Sequence, residues 1–390
     1  MSNIKSGKYV IAGIGETKFG KVTNSTPLSL NLEACKKAIE DAGLTNKDVD
    51  GLFSQQPYFD PTFGISTWIG EYLGLDLKIS SDLNIGGATP AAMVKYAMMS
   101  IETGMCNYAL CCYGENAFTG QGQERHGSYN WGLEDYYETF GALGPATLYG
   151  TIMRRHMHQY GTKAEHFGAI ALACRNHANL NPDARMYGKP LTMEDYLETP
   201  YFVEPLRLTD ICLISDGGCA CLVTSAERAK DLKSSPVYIL GLGEGHIPGH
   251  SEFLYTAPDF TSPGGGSSCG QQAYNMAGLT PDDIDFAEFY DCFTSTVMVQ
   301  IEDYGFCKKG EGGSFVEDGR IGLGGELPIN THGGLLSSAH IDGFNHITEG
   351  VKQLRREVPD QRQVKDAKIG LITGFGGLSG TYSCLILGRE

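Results

Sequence analysis

The sequence predicts an α/β protein made of two copies of one α/β half, arranged as five layers (α/β/α/β/α), with a loop domain inserted between the copies. Three observations predict it: an internal repeat, strands that alternate with helices, and one helix that is apolar nearly all round. The repeat opens with residues 9–15 (Tyr-Val-Ile-Ala-Gly-Ile-Gly), a short apolar strand ending in glycine, echoed by residues 237–243 (Val-Tyr-Ile-Leu-Gly-Leu-Gly). Residues 37–50 and 272–285 then read as helices that both stop at Ala-Gly-Leu-Thr, where glycine accepts the left-handed cap conformation. An apolar strand follows each, at 51–53 and 286–289. Further on, Asn-Ile-Gly-Gly (84–87) and Asn-Thr-His-Gly-Gly (330–334) each precede a helical stretch that leads to a strand, at 108–113 and 369–373. One such echo could arise by chance; four in the same order mark a duplication.

Strands alternating with helices place helices on both faces of mixed or parallel sheets. The helix beginning near Ala88 carries Ala91, Ala92, Met93, Val94, Ala97, Met98, Met99 and Ile101, so it belongs in the interior of a large protein. Residues 1–117 form the first half and 236–390 the second. Residues 118–235 differ in composition, with aromatics, histidines and basic side chains, and read as an insertion that covers an active site.

The composition excludes several roles. A formal net charge of −16 repels nucleic acid and anionic membrane surfaces alike. No apolar run is long enough to cross a bilayer, and no signal peptide precedes the first strand. The twelve cysteines are scattered without metal-binding spacing, as expected of reduced thiols in a cytoplasmic protein, and no metal site is expected on this chain.

The motifs Tyr-Gly-Thr-Lys-Ala-Glu-His-Phe (160–167), Ser-Asp-Gly-Gly (215–218), Tyr-Asp-Cys-Phe (290–293), Asn-Thr-His-Gly-Gly (330–334), Ala-His-Ile-Asp-Gly (339–343) and Gly-Phe-Gly-Gly (374–377) occur in one order. In this order they resemble the thiolase superfamily, in the branch of sterol-carrier-protein thiolases and archaeal acetoacetyl-CoA thiolases. The resemblance implies the thiolase fold, coenzyme A thioesters as substrates, and acyl transfer through a cysteine at the start of the buried helix of the first half. Here the stretch matching that cysteine motif is Gly-Ala-Thr-Pro (87–90), so Gly87 stands where the nucleophile should be. The Gly86–Gly87 pair is expected to leave open the space a thiolate would occupy. Cys292 is the nearest substitute, although a buried small hydrophobe explains it better.

By the same resemblance His340 matches the catalytic histidine, a base for an incoming thiol. Tyr290 matches the position that donates a hydrogen bond to an enolate oxygen, and His332 stands behind it. Gly376 lies in the glycine loop whose amides form an oxyanion hole. Arg154, Arg155, Lys163 and Arg175 are the candidates for the phosphates of coenzyme A; for each alone, a solvated helix face explains the charge as well. The aromatic segments 57–63 and 129–131 are candidate pocket walls.

Without an acyl-cysteine two reactions are open. The first is thiolysis of a bulky 3-ketoacyl-CoA by direct attack of free coenzyme A. In that case the resemblance runs most closely to large subunits that split 2-benzoylsuccinyl-CoA into benzoyl-CoA and succinyl-CoA. The second is retro-aldol cleavage of a branched 3-hydroxyacyl-CoA, as in thiolase-like proteins of steroid side-chain degradation that also lack the cysteine. The histidine at 340, where those lyases carry tyrosine, favours thiolysis. A non-catalytic subunit that binds CoA esters is the remaining reading. The resemblance also implies a homodimer of this chain and a small zinc-ribbon/OB-type partner subunit.

Overall fold

The computed structural model describes residues 4–120, 138–142, 144–247, 259, 261, 265–376 and 380–389. The first half runs β1 (Tyr9–Glu16), α1 (Pro27–Ala42), β2 (Gly51–Gln55), α2 (Ile65–Leu73), β3 (Ile79–Leu83), α3 (Thr89–Glu102) and β4 (Ala109–Asn116). Thr26 caps α1 by accepting from the Ser29 amide, and Gly43 closes it at φ 75°. Next come α4 (Gly144–Tyr160), α5 (Ala164–Ala178), α6 (Met193–Glu198) and the hairpin of β5 (Tyr201–Val203) and β6 (Leu206–Arg207). They are followed by β7 (Asp216–Ser225) and α7 (Ala226–Ala229). The second half holds β8 (Val237–His246), α8 (Gly265–Ala277), β9 (Phe286–Glu288), α9 (Thr294–Asp303), α10 (Gly312–Phe315), α11 (Phe344–Arg355), β10 (Ile369–Gly376) and β11 (Thr381–Gly388).

Nine strands lie in the order β3-β2-β4-β7-β1-β8-β11-β10-β9. Read outward from the β1–β8 pair, the two halves repeat each other. β1 and β8 each meet an antiparallel neighbour (β7, β11), then a second antiparallel strand (β4, β10), then a parallel one (β2, β9). Even the last step is mirrored: β3 pairs parallel with β2, and Ile329 makes a single parallel bridge to Ala287 of β9. The expected repeat is therefore physical, down to Gly43 and Gly278, left-handed at φ 75° and 69°.

α3 and α11 pack on each other and on strands of both halves, forming the middle helical layer. α1 and α8 cover the outer faces. Met93, Val94, Ala97 and Met98 of α3 meet Phe344, Ile347 and Val351 of α11 in one core, and each of these side chains larger than alanine contributes about 1.5–3 kcal/mol. The helix is not covered on every side, however: Tyr96 and Met99 are 40% and 44% exposed. One boundary also moves. β7, within the range expected as insertion, is a central strand between β4 and β1, because its apolar residues 219–223 need a sheet on which to be buried. Among the described residues no helix is long and apolar enough to cross a membrane, and all twelve cysteines are free thiols.

Candidate active site

The site forms where the N-terminus of α3, the end of β9 and the turn before α11 converge. Its centre is Tyr290, 5% exposed. A Cβ added to Gly87 would stand 2.1 Å from the Tyr290 ring carbon Cζ and 2.4 Å from its hydroxyl oxygen. A Cβ on Gly343 would stand 2.7 Å from Cδ2, further along the same edge of the ring. The phenol thus fills the space that the side chain of a nucleophilic cysteine would need. This corrects the expectation that the missing cysteine leaves room: the place is taken, and cysteine at 87 and tyrosine at 290 exclude each other.

The ring is held from its backbone outward. The Tyr290 amide donates to Thr373 Oγ1 (3.0 Å), and its carbonyl accepts from Thr296 Oγ1 and Gln300 Nε2 (both 2.9 Å). At the tip, the hydroxyl donates to Asp342 Oδ1 (3.0 Å) and lies 3.1 Å from Nε2 of half-buried His340. Asp342 Oδ2 accepts from Gln55 Nε2 and from the Tyr58 hydroxyl (3.2 Å), which also lies 3.2 Å from Asn84 Oδ1. Asp342 sits at φ 48°, a left-handed conformation uncommon for a residue with a side chain. It aims the carboxylate at the phenol.

Burial, with Asp342 adding to it, pushes the Tyr290 phenol well above its ordinary range, so it stays protonated. Burial lowers His340, and the nearby Asp342 and Asp291 carboxylates only partly offset this, so its imidazole is neutral near pH 7. Burial and Cys212 raise the Cys292 thiol well above the thiol range, which makes it a poor nucleophile. Glu115 anchors the loop that carries Tyr58 by accepting from the Tyr58 and Phe59 amides (2.6 and 3.1 Å). Burial raises that carboxyl to about 7.

Behind the phenol lies a buried polar net. Glu288 accepts from the Thr331 amide (3.0 Å) and hydroxyl (2.8 Å) and faces His332 Nδ1 (3.1 Å). Atoms of Glu288, His332 and His346 lie within 4.8 Å of one another, a grouping that could hold a metal ion. The hydrogen bonding reads differently. Asn345 Nδ2 donates to the Ala339 carbonyl (3.0 Å), which turns its other hydrogen toward His332 Nε2 (2.8 Å). Nε2 is then the acceptor, and the ring proton sits on Nδ1, pointing at Glu288 where a cation would have to bind.

The structure brings together Tyr290, His340 and Gly87 and places His332 one layer behind them. Gly376, at the end of β10, packs against the turn before α3: a Cβ there would stand 2.0 Å from the Ile85 carbonyl oxygen. The four basic candidates are not gathered. Arg154 pairs with Glu204 (2.7 Å) and Arg155 bonds Gln159 (2.9 Å), all exposed. Lys163 precedes the first turn of α5, while Arg175, near its end, donates to Ser337 Oγ (3.0 Å). Twelve residues of helix separate these two by about 18 Å, too far to share one phosphate. The segment 129–131 lies outside the described residues. Sequence reasoning missed Asp342 and the assigned role of Tyr58. The signal for Asp342 was a carboxylate two residues after the histidine and followed by glycine.

This fold and this site define the class: the chain belongs to the thiolase superfamily, in its sterol-carrier-protein-like branch. Residues 249–389 match the family model "Thiolase C-terminal domain-like". The chain is similar, at 39% identity over 90% of its length and 92% of the relative's, to the 17-hydroxy-3-oxo-4-pregnene-20-carboxyl-CoA lyase of Mycobacterium tuberculosis. It is 38% identical to the steroid side-chain-cleaving aldolase of Thermomonospora curvata, with both chains covered in full. Among solved structures the Ltp2-ChsH2(DUF35) aldolase superposes with a TM-score of 0.90 at 37% identity, covering 99% of each chain. The benzoylsuccinyl-CoA thiolase subunit BbsB of Thauera aromatica is more distant, at 27% identity over 95% of each chain. The thiolase-like branch therefore stands, but the resemblance within it runs to lyases more strongly than to that thiolase.

Proposed function

We propose that this chain is a retro-aldol lyase that cleaves a branched 3-hydroxyacyl-CoA into a ketone and a shorter acyl-CoA. The observation that carries this reading is the Tyr290 phenol standing in the nucleophile's place, between His340 and Asp342. Among the described residues the cysteine's place holds no group that would carry an acyl intermediate, and a retro-aldol needs none. The likeness to a CoA-ester lyase and a side-chain-cleaving aldolase supports the same reaction.

Neutral His340 takes the proton of the 3-hydroxyl as the bond between C2 and C3 breaks. The bond's electron pair moves onto C2, giving a thioester enolate, and C3 becomes a ketone. Tyr290, kept protonated by its burial, donates its proton to C2. The proton held on His340 Nε2, 3.1 Å away, then restores the phenol. One proton has moved from oxygen to carbon, with no co-reactant consumed. Asp342, Gln55 and Tyr58 hold the phenol in line for each cycle.

A small partner subunit is part of this reading, supported by the similar aldolase being a complex with a DUF35 protein. A homodimer of this chain is supported by β3, an end strand of the sheet, and by the exposed Tyr96 and Met99 of α3. The deciding experiment offers the protein 17-hydroxy-3-oxo-4-pregnene-20-carboxyl-CoA without free coenzyme A, and 2-benzoylsuccinyl-CoA with and without it. Release of a ketone from the hydroxy substrate alone is expected. Cleavage only of the keto substrate, and only with free coenzyme A, would overturn the lyase and establish direct thiolysis.

A further inference from the structure

We infer that His346, in the first turn of α11, is the positioning residue of this site, a buried cation that ties the strand end bearing Tyr290 to the turn bearing His340 and Asp342. Its Nδ1 lies 3.4 Å from Glu288 Oε2 and its Nε2 lies 3.2 Å from Asp291 Oδ1. These two carboxylates bracket Phe289–Tyr290 in the chain, and all three side chains are fully buried. His346 itself follows Asp342 by only four residues, through the left-handed Gly343. One ring therefore spans the two segments whose separation sets the distance from the phenol to its partners.

The charge follows from the geometry. A neutral imidazole has one N–H and one lone pair, and with a carboxylate oxygen at each nitrogen that lone pair would face an anion. Two N–H groups remove the conflict. Neither nitrogen makes a well-aligned hydrogen bond, so Coulomb attraction holds the ring more than directional bonding does. Burial alone would lower its proton affinity, but the two carboxylates outweigh it and raise it to about 9.

The groups facing it from the surrounding elements are few. Glu288 comes from β9 and Asp291 from the segment after it. Asp291 also accepts from the Leu335 and Leu336 amides (2.8 and 3.2 Å) and faces the Cys174 thiol of α5 (3.6 Å). His332 stands edge-on with ring centroids 5.1 Å apart. His340 feels both signs: the His346 charge lowers its proton affinity, and Asp291 raises it. The clamp thus sets the geometry of Tyr290, while burial keeps His340 neutral and the two clamp charges pull its proton affinity in opposite directions.

The kinetic arm of the test rests on the lyase reading; the second arm does not. His346→Gln keeps a polar side chain but loses the charge and one of the two donors. In full-length protein with its partner subunit, acting on 17-hydroxy-3-oxo-4-pregnene-20-carboxyl-CoA, kcat is expected to fall about ten-fold or more while KM stays within about two-fold. Independently, the rate at which diethyl pyrocarbonate modifies His340, followed by peptide mass spectrometry across pH, reports the midpoint of that imidazole. His346→Gln is expected to raise the midpoint by about half a unit or more, and Asp291→Asn, with His346 intact, to lower it by a similar amount. Opposite shifts cannot come from a generally loosened site. If both variants shift the midpoint the same way, or neither shifts it, the positioning role is wrong. Should His346→Gln fail to fold, Asp291→Asn decides alone, and an unmoved midpoint overturns the inference. If wild type does not cleave the hydroxy substrate but the midpoints move as expected, the lyase reading fails and the clamp stands.

Discussion

Tyr290 owes its place to two missing side chains, those of Gly87 and Gly343. The van der Waals clash is severe enough to test directly. Gly87→Ala should destabilise the protein by about 3 kcal/mol or more, because Gly343 and the hydrogen bond to Asp342 hold the ring against position 87. In a Tyr290→Ala background the same substitution should cost little, and a double-mutant cycle on thermal unfolding measures the difference. Additive costs would mean that the ring does not fill the nucleophile's space. Tyr290→Phe retains the packing and removes only the hydroxyl. It should lower kcat/KM by about 10²–10⁴-fold while leaving Tm near wild type, and full activity in the Tyr290→Phe variant would remove the phenol from the chemistry. At this scale the sequence was partly legible. Glycine at 87 and tyrosine at 290 were each visible, but their mutual exclusion was not, since about two hundred residues separate them and only the fold makes them touch.

At the scale of elements, the glycines of β10 mark where a strand passes close to a helix start. A Cβ at Gly374 would meet the Gly87 carbonyl oxygen at 2.7 Å, and one at Gly376 the Ile85 oxygen at 2.0 Å. Gly376→Ala should therefore push β10 away from the turn that places Gly87. We expect a stability loss of about 1–3 kcal/mol in chemical denaturation, together with reduced turnover. The glycine loop was conspicuous in the sequence, and close packing against the turn before α3 is a second reason for it beside any oxyanion contact. The strand β7 was legible as a strand but not as part of the first half, because its partners β4 and β1 lie far away in sequence. The basic residues of α4 and α5 looked like a cluster only along the chain; helix geometry sends them in different directions.

At the scale of the molecule, pH sensitivity follows from its buried ion pairs. Burial pushes the Glu288, Glu302 and Glu349 carboxyls up, but partners outweigh it: His332 and His346 for Glu288, His156 and Lys309 for Glu302, Arg362 for Glu349. All three end below the ordinary glutamate range, so the stability they contribute is present above the unfolded value and is lost as pH falls below about 4.5. His346 has the opposite sense: raised to about 9, it stabilises fully below about 6.5, and that contribution is lost as pH rises through about 9. Thermal unfolding across pH should thus show a plateau bounded on both sides. His346→Gln should remove the alkaline decline selectively, and a decline that survives in the variant would assign it to another group.

The sequence by itself determined the duplication, the layered α/β class, the family and the absence of the usual nucleophile. These are written in local patterns: apolar periodicity, glycine caps, and motifs repeated in order. Only the tertiary structure decided what stands in the cysteine's place, which carboxylate faces the phenol, and which histidine lies between two buried acids. Those are contacts between segments brought together by sheet topology. Whether a buried ring is charged or neutral depends on what surrounds it in space, and neighbours along the chain do not reveal that.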